Sequence, residues 1–148
     1  MHFDPQNKII QLCAEGMNLE GQGMVEEAKH VFLNAWAAST TAFEKFTSAH
    51  YVARHQPSIT DKLKWDETAL KFALKVDDFR LRVHYPSLYL NIAKCHEDLN
   101  DYNRARKFYQ LASSYVVYLP DDGYGKMISA GITKGMERIN ALEKDASD

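Results

Sequence analysis

Cysteine and proline are both scarce in this 148-residue chain, and each scarcity excludes something. Cys13 and Cys95 form neither a CxxC pair nor a zinc-type set, and both sit among apolar neighbours with helical spacing. That fits reduced core thiols in a cytoplasm rather than a disulfide framework. The four prolines stand at 5, 57, 86 and 120, which leaves long proline-free stretches open to helix. An excess of basic charge is also missing: 18 Lys plus Arg face 20 Asp plus Glu. The formal charge of −2 offers no broad field to phosphate backbones and argues against a nucleic-acid partner. No run of about 18 apolar residues occurs, which argues against a membrane span. MHFDPQNKII lacks a charged leader ahead of an apolar stretch, so the chain is expected to be soluble and to stay in the cytoplasm.

What is present is three-and-four spacing of apolar residues, with almost no strand alternation, at a hydrophobic content of 45% that can supply one compact core. The spacing predicts an all-α single domain of seven helices: hairpins at about 5–39, 40–78 and 86–118, then an extra helix at about 125–143. Asp4 followed by Pro5 reads as the start of the first helix, which ends near Gly21, and Gly21-Gln22-Gly23 as the turn to the second. The third should run over 40–56 to Pro57, the fourth over 61–77, the fifth from Pro86 to Asn100 and the sixth over 102–118. Met127, Ile128, Ile132, Met136, Ile139 and Leu142 form the apolar stripe of the last. There Gly131 and Gly135 permit close approach to the sixth helix, and an apolar outer face would permit a homodimer.

Two segments repeat one another. VEEAKHVFLNA (25–35) and YNRARKFYQLA (102–112) set Ala28 on Ala105, Phe32 on Tyr109 and Ala35 on Ala112. Upstream, Gly16 matches Ala93 and Leu12 matches Tyr89. Small residues at matched heights with an aromatic knob between them are what close packing of a helix pair needs. The pattern resembles the tetratricopeptide repeat over roughly residues 7 to 117, most fully in LYLNIAKCHEDLNDYNRARKFYQLA, where His96 replaces an aromatic. The resemblance implies an α-solenoid of three hairpins, with the last helix capping its exposed end. The runs SAHYVARHQ, LKWDETAL and YPSLYLNIAKCHEDL are also similar to a group of small bacterial tetratricopeptide proteins, some labelled as ribosomal RNA adenine methyltransferases. The strand, glycine-rich turn and helix of a methyl-donor site are not visible in these residues.

FTSAHYVARHQP (46–57) gathers His50, Arg54, His55 and Gln56 near the end of the third helix. His50 and Arg54 share one face, whereas the His50-to-His55 step fits helix-borne zinc ligation poorly, so no metal is expected. A catalytic pocket of His50, His55 and Tyr51 is the alternative, as in an enzyme or nucleic-acid modifier, but no placement specific to a catalytic class supports it. A structural network is the third reading, with Arg54 on helix-terminal carbonyls, Asp61 or Asp66, and Trp65 packed between hairpins. Related repeats present an Asn to a bound peptide two residues after a large residue, and Asn91 follows Tyr89 in that way, with Lys94 on the same side. The expected function is therefore a non-catalytic protein or peptide interaction module without a cofactor. Its expected contacts are His50, Arg54, Asn91 and Lys94 on the concave face, with Cys13 and Met17 as an apolar floor.

Overall fold

The computed structural model describes residues 4–147, with side chains described through Asp145. Every regular element among them is helical: α1 (Lys8–Gly21), α2 (Val25–Ala38), α3 (Ala42–Ala53), α4 (Ile59–Ala73), α5 (Tyr85–Asp98), α6 (Tyr102–Ser114) and α7 (Gly123–Ser147). Contacts divide the chain into two compact units, Met1–Asp78 and Phe79–Asp148. In the first unit α1 pairs with α2 and α3 with α4, and α3 also packs on both α1 and α2. In the second, α5 pairs with α6, and α7 packs on both.

The first helix starts later than expected. Asn7, not Asp4, is its cap: Asn7 Oδ1 accepts from the backbone amides of Ile9 and Ile10, and Asn7 Nδ2 donates to Glu44 Oε2 of α3 at 3.0 Å. Asp4 and Pro5 belong to the turn before it. Thr41 and Glu44 form a reciprocal capping box that starts α3 at Ala42, and Ser58 caps α4 by accepting from the Asp61 amide, so α4 begins before 61 and ends at Ala73. The polar stretch Phe79–His84 is a 3-10 helix anchored by buried Leu81. The sixth helix ends at Ser114, and a separate 3-10 turn, Val116–Tyr118, carries the remainder.

The aligned residues occupy equivalent places in the two units. Ala28, Phe32 and Ala35, like Ala105, Tyr109 and Ala112, are completely buried. A Cβ on Gly16 would lie 2.3 Å from the Phe32 ring, so only glycine lets α1 rest on that knob. Ala93 packs in one cluster with Ala105, Tyr109 and Ile139. Both hairpins turn alike: Gly23 at φ +78° and Asn100 at φ +63° take the left-handed conformation. Met24 donates to Leu19 and Gly23 to Glu20, and likewise Asp101 to His96 and Asn100 to Glu97. On α7, Gly131 faces Leu90, and a Cβ on Gly135 would sit 2.2 Å from the Tyr109 ring. The pair of glycines thus seats α7 against α5 and α6.

Candidate functional site

The cluster at 46–57 closes on a residue from α1. Arg54 Nη1 donates to Glu20 Oε1 at 3.0 Å, and His55 Nε2 meets Glu20 Oε2 at 2.6 Å with the carboxylate oxygen accepting. Asp66 is instead buried beside Lys62, at 2.6 Å. Arg54 also lies over the Tyr51 ring at 5.0 Å, and Phe32 stacks on both Tyr51 and His55, with centroids 5.0 and 5.9 Å away. One carboxylate at the end of α1 therefore holds the end of α3, while the α2 aromatic fills the space beneath. Gln56 donates back to the Val52 carbonyl, and half-buried His50 sits edge-on to Tyr51. Trp65 meets Trp36 edge-on at 5.1 Å, across the two hairpins of this unit.

Burial pushes the Tyr51 hydroxyl above its ordinary pKa, against the opposing charge of Arg54, so it remains a protonated phenol at neutral pH. Cys13 is buried against Ile9 and Ala35, and burial pushes its thiol up to about 11. It is part of the core and offers no surface to a ligand, whereas Met17 one turn later is exposed. Beside His55, a depression of about 220 Å³ is lined by Lys29, Phe32, Leu33, Val52, Gln56 and Pro57. That lies below the roughly 300–1,000 Å³ usual for small-molecule sites.

In the second unit Asn91 is half-buried on α5, and Lys94 is exposed, paired with Asp98 at 2.6 Å. Three residues beyond Lys94, Glu97 joins three helices. The Tyr109 hydroxyl of α6 donates to its Oε1 at 2.6 Å, and Arg138 of α7 donates through Nε to Oε2 at 2.7 Å and through Nη2 to Oε1 at 3.0 Å. Burial pushes the Glu97 carboxyl up, but hydrogen bonds from Arg138 and Tyr109, with the charges of Arg138 and Lys94, outweigh it and leave the pKa below the ordinary carboxylate value. Tyr109 is pushed up by burial and by Glu97.

Sequence reasoning missed both glutamates. Glu20 and Glu97 are separated by the same 77 residues as Ala28 and Ala105, and each stands four residues after the small residue of its hairpin. That spacing was the available signal. Among the described residues no group of three or more His, Cys, Asp or Glu could hold a metal ion, and no helix is long and apolar enough to cross a membrane. Comparison of the chain with protein-family profiles, with curated proteins and with solved structures finds no match in any of the three.

Proposed function

We propose that the three hairpins are tetratricopeptide-like repeats of an α-solenoid and that the protein is a non-catalytic module for binding another protein or a peptide. One observation carries this reading: α1–α2–α3 and α5–α6–α7 repeat one design, with the same left-handed turn, a small residue at the same place against an aromatic knob, and a carboxylate at the same offset gripping the helix after the hairpin. Repeats of this kind present the faces of their first helices to ligands. On α5 that face offers Asn91, which can both donate to and accept from an extended peptide backbone, and Lys94, which can meet a carboxylate. Met17 supplies a separate apolar contact on α1. Arg54 and His55 serve mainly to hold α1 against α3.

The test is affinity capture from a lysate of the source cells, wild type beside Asn91→Ala/Lys94→Ala, with proteins and RNA both identified and the leading protein re-measured in purified form. Loss of one protein with the variant, at unchanged thermal unfolding, supports the reading. Capture of RNA, or calorimetric heat from S-adenosylmethionine, would replace it with a nucleic-acid modifier.

A further inference from the structure

We propose that α7 pairs with α7 of a second copy of this chain, antiparallel and about a two-fold axis midway between Gly131 and Ile132, with Lys126 of each copy against Glu137 of the other. The inference does not depend on the peptide-binding reading. Ile128, Ile132, Gly135 and Ile139 turn inward, toward α5 and α6. Lys126, Ala130, Thr133, Lys134 and Glu137 are exposed along the other side and, with half-buried Ser129, line a shallow depression of about 440 Å³ built from this helix alone. Steps of four, three and four residues keep Lys126, Ala130, Thr133 and Glu137 on one face.

Charge order selects the occupant. A two-fold axis at that point sets Lys126 of each copy opposite Glu137 of the other, and Ala130 opposite Thr133, at the seam. Two opposite-charge pairs form there by symmetry, while Lys134 of both copies lies on one exposed flank of the seam, where water screens the two charges from each other. The other acidic and basic side chains on the helix include ones already engaged: Arg138 holds Glu97, and Glu143 pairs with Arg106 at 2.7 Å. Lys126 and Glu137 form no side-chain ion pair among the described residues, so both are available to a second copy. Ala130 and Ser129 at the centre keep side-chain bulk low enough for two helix axes to approach within about 8–10 Å. The 25 residues of α7 span about 37 Å, which allows the overlap, and antiparallel packing sets the helix dipoles in opposition.

The experiment is sedimentation equilibrium on the purified full chain in four forms: wild type, Lys126→Glu, Glu137→Lys, and the double reversal, each checked for helicity and thermal unfolding. The wild type should self-associate. Each single reversal should weaken association at least about tenfold by facing like charges twice, and the double reversal should restore it. A wild type that stays monomeric up to about 0.1 mM overturns the proposal. So does equal association of all four forms, or failure of the double reversal to rescue.

Discussion

Glu20 and Glu97 stand at the same point of two matched helix pairs, yet the donors that reach them differ. In the second unit the α6 knob is Tyr109, whose hydroxyl reaches the carboxylate from the core while Arg138 of α7 grips it from outside. In the first unit the knob is Phe32, which has no hydroxyl, and α3 supplies both donors, Arg54 and His55. His55 replaces the missing hydroxyl and stacks on the ring that lacks it. The Glu97 side chain is also the more enclosed, 11% exposed against 21% for Glu20. A repeated backbone can therefore keep one joint while its chemistry changes. The more deeply buried joint should bear more of its unit's stability, because a donor stranded in the core loses more than one left in water.

The largest expected effect follows from that difference. Glu97→Ala should destabilise the second unit by about 2–4 kcal/mol and Glu20→Ala the first by about 1 kcal/mol, since the former leaves a buried hydroxyl and an arginine without their acceptor. Cys13 and Cys95, buried one per unit, allow each to be read separately. At pH 8 their labelling requires local opening, and Glu97→Ala should accelerate Cys95 more than Cys13. Next in size, Gly16→Ala and Gly135→Ala should each cost about 1–3 kcal/mol in urea unfolding. Both put a methyl group into a buried ring, which outweighs the better helix propensity of alanine.

Acid should separate the units further. Because the Glu97 pKa is lower folded than unfolded, its contribution is complete above the unfolded carboxylate value of about 4.3 and is lost as pH falls through the lower folded value. The second unit should therefore lose stability on acidification below that point, read as faster amide hydrogen exchange in α5 after correction for the intrinsic rate at each pH, and Glu97→Gln should flatten the pH dependence. The smallest effect is the most specific to the comparison. Phe32→Tyr should change stability by less than about 1 kcal/mol but reduce the loss caused by His55→Ala, because the new hydroxyl would serve Glu20 as Tyr109 serves Glu97. A double-mutant cycle showing no coupling would break the equivalence of the two joints.

The helices and their knobs were legible in the sequence because the pattern occurs twice: Gly16 with Phe32, and Ala93 with Tyr109, are small and aromatic residues at one offset. The start of α1 was ambiguous, since Asp4–Pro5 and Asn7 are both start signals. Glu44, 37 residues away, also anchors the Asn7 side chain. Cys13 was legible as a core thiol, and its competing reading as a ligand floor arose for a related reason. Ile10, Cys13 and Met17 make as good a stripe as Ile9, Cys13 and Gly16, and only the packing of Ala35 and Phe32 on the second decides between them. The partner of Arg54 was beyond local reasoning, because Asp61 and Asp66 are near in sequence whereas Glu20 lies 34 residues before it. The inward side of α7 followed from Ile128, Ile132 and Ile139 of its stripe, but Met127 and Leu142 of that stripe are exposed, and the expected span of 125–143 falls short of Gly123–Ser147 at both ends.

The most direct measurement sets Arg54→Ala/His55→Ala beside Asn91→Ala/Lys94→Ala and records, for each purified full chain, thermal unfolding and binding of the captured protein. The expected result is a crossover: the first pair lowers the melting temperature by several degrees and leaves binding intact when folded, and the second leaves melting unchanged and abolishes binding. The reverse, binding lost with Arg54 and His55 at full stability and untouched without Asn91 and Lys94, would make FTSAHYVARHQP the recognition surface and contradict its role as the joint between α1 and α3.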